Sequence, residues 1–325
     1  MIEEMVFQGA YPKRKKRKQI AADNAYMRSQ SCYREYSFHS VTFCCIEINK
    51  DPKNGVIMYF HSNAIQLGRA IHAKMQRLSD LLCMSVVAVE YPGYGLSGEE
   101  FSTDLFFKTA EAAVEYFRTG CYANTPLILF GRSLGCLLCT FIAAKMPDVS
   151  GVVLESPACF FSHFSCLYSL LSKKARSRLD RLDCATYLPK VDCPLMVLYG
   201  SRDAYSSPSF HSLMSEYVGT SGVLLRLQDY EHNNIPVGSQ RGRCLCTIPR
   251  CSGCCCCMYA PSLPSCEEEY YSSILLFVTK CLEEWRLQMG IDTRITEAVH
   301  MSSINAYPDK DSCDTRAGKE ELLSE

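Results

Sequence analysis

The stretch TPLILFGRSLG, residues 125–135, runs from a continuous apolar segment into a turn with two glycines, and a helical pattern follows at once. A small-x-Ser-x-small sequence between a strand and a helix is the pattern of a nucleophile elbow, a sharp turn that lifts a serine above the sheet. Gly131 and Gly135 leave room where side chains would collide, and Ser133 is the candidate nucleophile. The alternative is a strand-turn-helix junction that needs glycines for packing alone.

Short apolar runs alternate with helical patterns on both sides of this stretch. Most of the runs are continuous, which is typical of strands buried on both faces of a sheet. We therefore predict an α/β fold, a mostly parallel central sheet with helices on both faces and with reactive groups at the carboxyl ends of its strands. The predicted strands are residues 41–48, 55–62, 84–91, 125–131, 151–156, 193–200 and 222–228, and the predicted helices are residues 67–82, 103–118, 134–146, 209–218 and 267–285.

The composition is that of a globular protein with ordinary charge. The 325 residues are 47% hydrophobic and carry a net charge of -1, so we expect no nucleic-acid partner. Acidic residues precede the basic run within residues 1–18, which is the wrong order for a secretory signal, and no segment is apolar enough for a transmembrane helix. We therefore expect a cytoplasmic protein whose 21 cysteines do not form a disulfide framework.

The predicted α/β domain covers residues 36–286. A basic, flexible leader is predicted at residues 1–35, and a polar, disordered tail at residues 287–325. Two insertions interrupt the alternation, an apolar and helix-prone lid at about residues 158–190 and a cysteine-rich loop at about residues 235–266. A loop as long as the second is usually functional or disordered.

The next strand ends supply candidate partners for Ser133. Asp203 and His232 each follow a predicted strand, so the orienting acid and the base come in the chain order Ser, Asp, His. His61 also lies at a strand end, and Glu155 is the alternative acid because it ends the strand after the elbow. We predict Ser133, Asp203 and His232 as the catalytic residues.

A developing oxyanion needs N–H donors. Leu134 N–H is one candidate, because it follows Ser133 at the start of a helix. Asn63 N–H is the second, because the loop HSNA (61–64) follows a predicted strand. His61 is then better interpreted as a residue that shapes the loop than as the base.

Five motifs occur in the order HSNA (61–64), YPGYGLSG (91–98), FGRSLG (130–135), LYGSRDAYSS (198–207) and EHNN (231–234). Together they resemble the α/β-hydrolase superfamily, and more narrowly its intracellular α/β-hydrolase domain branch, which includes membrane-bound serine hydrolases and protein depalmitoylases. The resemblance covers residues 36–286 apart from the loop at 235–266. Ser62 stands where that branch has glycine, and Glu231 and Asn234 replace a small residue and an aspartate.

The resemblance implies a serine hydrolase that cleaves an ester or thioester through an acyl-enzyme on Ser133, with no cofactor and no metal. The implied substrates include lipids and S-acylated proteins. The alternative is a catalytically weak or inactive relative that acts as a binding or scaffold protein, and Ser62 motivates that alternative.

Three further segments leave alternatives open. The run KRKKRK (13–18) can contact anionic lipid at about 1 kcal/mol per residue, or act as a nuclear localisation signal or a solvated leader. The insertion at 158–190 either lines an acyl pocket or caps the core. For Cys254–Cys257 in the stretch CSGCCCCMYA (251–260), S-acylation near a membrane, zinc binding and a plain loop are the alternatives.

Overall fold

An eight-stranded sheet forms the centre of the computed structural model, which describes residues 6–63, 65–158, 172–205, 208–219, 222–235 and 266–291. The strands are β1 Tyr33–Phe38, β2 Val41–Ile48, β3 Val56–Phe60, β4 Ser85–Val89, β5 Leu127–Arg132, β6 Gly151–Glu155, β7 Leu195–Gly200 and β8 Val223–Leu227. Their order is β1-β2-β4-β3-β5-β6-β7-β8. The pairs β1–β2 and β2–β4 are antiparallel, and all other neighbours are parallel.

Helices cover both faces of this sheet. They are α1 Arg14–Arg28, α2 Arg69–Leu82, α3 Thr103–Thr119, α4 Gly135–Ala143, α5 Lys173–Asp180, α6 Pro208–Val218 and α7 Cys266–Gln288, with 3-10 turns at Pro52–Asn54, Cys184–Thr186 and Leu188–Lys190. α3 and α4 contribute apolar side chains to one core, and α2 and α7 contribute them to a second. The predicted fold class, a mostly parallel sheet with helices on both faces, is confirmed.

Burial explains why the central strands were readable as continuous apolar runs. Every residue of β3, β4, β5, β6 and β7 is buried. α2 instead buries Ile71, Met75, Leu78 and Leu82, a spacing of three to four residues that places them on one helix face. Continuous apolar runs in the sequence therefore correspond to the central strands, and a spacing of three to four residues between apolar side chains corresponds to this helix. No helix in the described ranges is long and apolar enough to cross a membrane.

The segment before β2 differs from the flexible leader predicted at residues 1–35. Within its described part, from residue 6, α1 forms a helix and β1 adds an edge strand to the sheet. Phe7 and Met27 are fully buried, and the Phe7 ring lies 4.4 Å from that of Phe101. The prediction was wrong here because two isolated apolar residues in a basic sequence make core contacts that no local pattern signals.

The insertion at residues 158–190 is described from residue 172 onward, and residues 159–171 lie outside the described ranges. α5 has no buried residue. Leu182 and Leu188 are buried and pack in the same core as α4. The described part of the insertion therefore caps the core.

The chain divides into two compact units, Met1–Leu282 and Glu283–Glu325. The first unit holds the sheet and most of α7. Of the second unit the structure describes residues 283–291, which include the end of α7. In the predicted cysteine-rich loop at 235–266, residues 236–265 lie outside the described ranges, and Cys254–Cys257 with them.

A buried charge pair joins the second core to the end of β6. Glu155 accepts hydrogen bonds from Lys74 Nζ at 2.5 Å and from Tyr270 Oη at 2.6 Å, and it lies 3.3 Å from Arg132 Nε. Burial alone raises the pKa of a carboxyl group, but the Lys74 and Arg132 cations more than offset it and hold the pKa of Glu155 below its usual range. This cluster therefore ties α2, β5, β6 and α7 together.

We expect Phe7→Ala to lower the free energy of unfolding by about 3–5 kcal/mol, because it removes a fully buried ring. Tyr11→Ala is the matched control, since Tyr11 is 45% exposed in the same segment. It should change stability by less than about 1 kcal/mol. Urea denaturation measures both variants, and equal effects would restore the flexible-leader interpretation.

We expect Glu155→Gln to cost about 3–5 kcal/mol at neutral pH, because Lys74 then stays buried without its carboxylate. Lys74→Met in the same chain should recover part of that loss. Because the pKa of Glu155 lies below its ordinary value of 4.5, its contribution is complete above that value and is lost as the pH falls below it.

Urea denaturation at pH 7 and at acid pH tests this electrostatic account. The wild-type protein should lose stability below pH 4.5 more steeply than Glu155→Gln does. Parallel acid profiles, or a single variant as stable as the wild type, would contradict it.

Candidate active site

Close backbone approach shapes the turn between β5 and α4. A Cβ atom on Gly135 would lie 2.0 Å from the carbonyl oxygen of Phe60, and one on Gly131 would lie 2.6 Å from the Gly135 backbone. Both positions therefore accommodate only glycine. Ser133 between them has a φ of 51°, which is uncommon for a residue with a side chain, and its N–H donates to Glu155 O at 2.8 Å.

The three predicted catalytic side chains meet at this turn from separate strand ends. Ser133 Oγ lies 2.9 Å from His232 Nε2, and His232 Nδ1 lies 2.9 Å from Asp203 Oδ2. Ser133 and Asp203 are buried, whereas the His232 side chain is 15% exposed. The arrangement can pass the hydroxyl proton of the serine to an imidazole that a carboxylate orients.

The loops that carry the acid and the base are braced by their own backbone contacts. Asp203 Oδ1 accepts from Tyr205 N–H at 2.9 Å, which fixes the carboxylate plane. The Tyr205 ring lies 4.6 Å from the His232 ring. Asn234 Oδ1 accepts from Glu231 N–H at 2.6 Å and so closes the turn around His232. The asparagine at this position thus has a local structural role.

Glu90 joins the loops that follow β3 and β4. Its Oε1 lies 2.9 Å from His61 Nε2, and its Oε2 accepts from the N–H groups of Leu67 at 3.0 Å and Leu96 at 3.4 Å. The other nitrogen of His61 lies 3.0 Å from the carbonyl oxygen of Ser62. Both ring nitrogens of His61 are thus engaged in shaping the loop, in line with its interpretation from the sequence.

The two predicted oxyanion donors belong to two segments, the turn before α4 and the loop after β3. Leu134 follows Ser133 at the start of α4, where the first N–H groups have no partner within the helix. Asn63 lies in the loop after β3, and its side-chain oxygen accepts from Tyr94 O–H at 3.0 Å and from Gly9 N–H at 3.3 Å. The Gly9 contact spans 54 positions, so no local pattern predicts it.

The alternative acid Glu155 has its carboxylate committed to Lys74 and Tyr270. Glu90 and Tyr94 were not identified from the sequence. Glu90 had a usable signal, because a single carboxylate interrupts the apolar run at 84–91. Tyr94 had none.

Within the described ranges, no group of three or more His, Cys, Asp or Glu side chains is arranged to hold a metal ion. Cys136 and Cys139, in α4 directly after the turn, are buried cysteines. Burial raises the pKa of Cys139 well above its usual range, so this thiol is protonated at neutral pH.

Sequence comparison finds relatives for part of the chain. A family model described as serine aminopeptidase, S33 (Hydrolase_4), matches residues 52–188. The putative α/β hydrolase L404 of Acanthamoeba polyphaga mimivirus is 26% identical over 163 residues, which cover 47% of this chain and 58% of that protein. The α/β hydrolase domain-containing protein aho-3 of Caenorhabditis elegans is 25% identical over 193 residues, 59% of this chain and 56% of that protein. The chain spans little more than half the length of these curated relatives.

Solved structures share the fold. The Pyrococcus furiosus esterase Pf2001 has a TM-score of 0.52 at 16% identity, and the match covers 79% of this chain and 94% of that one. TT1662 from Thermus thermophilus has a TM-score of 0.51 at 15% identity, with 77% of this chain and 98% of that one covered. At such identities the likeness concerns the fold alone. The family model and the curated relatives point to the same group as this fold, and together they support the α/β-hydrolase superfamily.

Proposed function

We propose that this α/β hydrolase is a serine hydrolase that cleaves an ester or thioester bond through an acyl-enzyme on Ser133. The observation that carries the proposal is the continuous series from Ser133 Oγ through His232 to Asp203, with 2.9 Å at each step. A serine hydroxyl is a weak nucleophile, and a base in hydrogen-bond reach that a third group orients is what its activation requires.

In the acylation step, His232 Nε2 takes the proton of Ser133 as Oγ forms a bond to the substrate carbonyl carbon. The carbonyl oxygen becomes an oxyanion, to which Leu134 N–H and Asn63 N–H donate. Collapse of this intermediate breaks the bond to the alkoxide or thiolate, which leaves with the proton from His232. Asp203 keeps Nδ1 protonated and stabilises the imidazolium while it exists.

In the deacylation step, water replaces the leaving group. His232 removes a proton from the water as its oxygen attacks the acyl carbon, and then returns a proton to Ser133 Oγ as the ester bond breaks. The products are a carboxylic acid and the free enzyme. No step needs a cofactor or a redox partner.

The substrate within this proposal carries an acyl chain, from a lipid or from an S-acylated protein. One support is the resemblance of the five motifs to a branch that includes protein depalmitoylases. A second is the apolar composition of the insertion at 158–190, with Phe160, Phe161 and Phe164 close together in the sequence. Such side chains suit the lining of an acyl site.

We expect the wild-type protein to react with a fluorophosphonate probe and Ser133→Ala not to react, because the probe forms a covalent bond to an activated serine. Ester turnover by Ser133→Ala should fall by on the order of 10⁴-fold or more. Ser177→Ala, at an exposed serine of α5, is the matched control and should behave as the wild type. Gel fluorescence and an ester assay are the measurements.

Two outcomes of that experiment would contradict the proposal. A folded wild-type protein that does not label would favour a binding or scaffold relative, the alternative that Ser62 motivates. Labelling that persists in Ser133→Ala would contradict the choice of nucleophile. For the substrate class, kcat/KM should rise with acyl length from acetyl to palmitoyl esters, and a flat profile would indicate a hydrolase of small esters instead.

We also propose that the basic run at 13–18 contacts an anionic membrane surface. Lys16, Arg17 and Lys18 are exposed, and none of the ion pairs among the described residues involves them. Basic residues near such a surface contribute about 1 kcal/mol each. The available charge in this run therefore suffices for reversible binding.

Replacing Lys16, Arg17 and Lys18 by Glu should weaken binding to vesicles that contain phosphatidylserine by about 100-fold or more. Co-sedimentation measures the loss of binding. The difference between the variant and the wild type should be small with vesicles of phosphatidylcholine alone or at high salt. The control reverses Lys173, Lys174 and Arg176 on α5, which are also exposed. An equal loss in the control would show a response to net charge rather than to this run.

A further inference from the structure

We infer that residues 6–10 help to form the oxyanion hole, because they hold the side chain of Asn63 and thereby position its backbone N–H. This inference rests on the proposed function, because it takes Asn63 N–H as an oxyanion donor. It adds to that function a role for a segment that precedes the sheet. Residues 6–10 are called the N-terminal strap below.

The amide side chain of Asn63 is held at both of its polar atoms. Its Nδ2 donates to the carbonyl oxygen of Val6. Its Oδ1 accepts from Gly9 N–H at 3.3 Å and from Tyr94 O–H at 3.0 Å. The side chain and the backbone N–H of Asn63 share one Cα atom, so fixing the side chain limits how far the N–H can turn.

The strap itself is anchored in the core. Phe7 is fully buried, and its ring lies 4.4 Å from that of Phe101 and 5.0 Å from that of Phe106. Tyr94, which completes the hold on Asn63, is 1% exposed and lies 5.2 Å from the Tyr91 ring. The strap and Tyr94, which together hold the Asn63 amide, are therefore not loosely placed surface groups.

Gly9 is the point of closest approach between the strap and this loop. A Cβ atom there would lie 2.0 Å from Tyr94 Cε1 and 2.5 Å from Cδ1. Because the Tyr94 ring is enclosed, it cannot swing into solvent to make room. Any side chain at position 9 must displace either the strap or Tyr94, and both hold Asn63.

Misplacing one donor should act on the transition state more than on the bound substrate. The donors are aimed at the oxygen of the tetrahedral intermediate, which lies in a different place from the ground-state carbonyl oxygen. Full loss of one donor costs about 10²–10³-fold in kcat. Displacement of Asn63 should cost less than that and leave KM nearly unchanged, so the strap is a positioning element.

The test compares Gly9→Ala with Gly98→Ala in the 325-residue chain. Gly98 is the matched control, because a Cβ atom there would meet nothing within 4 Å. Gly9→Ala should lower kcat by about 10–100-fold with KM within about 3-fold, and Gly98→Ala should match the wild type. A trifluoromethyl ketone, which adds reversibly to Ser133 and leaves an oxyanion, should lose affinity for Gly9→Ala by the same factor as kcat/KM.

Tyr94→Phe is the second variant and covers the case in which Gly9→Ala fails to fold. It removes only the hydroxyl that donates to Asn63 and keeps the ring, so kcat should fall by about 3–10-fold with the same parallel loss of ketone affinity. Thermal unfolding of each variant confirms that the comparison is between folded proteins.

A folded Gly9→Ala or Tyr94→Phe with wild-type kcat would overturn the inference. So would a fall in kcat with unchanged ketone affinity, because the defect would then lie outside the oxyanion hole. Failure of the proposed function looks different, since the wild-type protein itself would neither label with the fluorophosphonate nor bind the ketone.

Discussion

Helix α4 packs across the carboxyl end of β3 so closely that only glycine fits at position 135, where a Cβ atom would lie 2.0 Å from Phe60 O. This approach leaves the chain little choice of path between β5 and α4, and Ser133 takes a left-handed φ of 51° as a result. Such a conformation costs on the order of 1–3 kcal/mol and persists only where the surroundings impose it. Here the buried strands on both sides of β5 impose it. The Ser133 hydroxyl therefore lies at the carboxyl end of this central strand.

Three buried carboxylates surround that turn, and their partners separate their roles. Glu155 faces the Lys74 and Arg132 cations, so it serves stability on the α2–α7 side of the sheet. Glu90 meets backbone N–H groups and an imidazole, so it joins two loops. Asp203 meets the imidazole of His232, which in turn lies within hydrogen-bond distance of Ser133. What lies opposite each carboxylate thus distinguishes the two structural groups, Glu155 and Glu90, from Asp203, whose role belongs to the proposed chemistry.

Much of the site could be predicted because its signals are local. The two glycines around Ser133 and the strand ends before Asp203 and His232 are readable in a few residues each. Asp203 is harder to distinguish from Glu155 by sequence, because both lie at strand ends. In the structure, Glu155 is paired with Lys74, which reaches it from a helix 81 positions away. A single sequence does not display that packing.

The structure of the N-terminal segment could not be predicted either, because it depends even more on contacts between residues far apart in the sequence. Residues 1–35 have the composition of a solvated leader, and composition reports the average environment of a segment. A single buried ring such as Phe7 barely alters that average, yet it fixes the path of its neighbours. Backbone groups of Val6 and Gly9, which carry no sequence signature at all, then bond to Asn63.

These contacts bear on whether Ser62 indicates an inactive relative. Glycine at that position would give the loop after β3 freedom that any side chain removes. The hold on Asn63 by Val6, Gly9 and Tyr94 acts in the same direction, so two independent features restrict the loop. A hydrogen-bond donor that is already oriented needs no reorganisation when charge develops on the substrate. The serine is therefore compatible with a preorganised oxyanion hole, and it does not by itself favour an inactive relative over an enzyme.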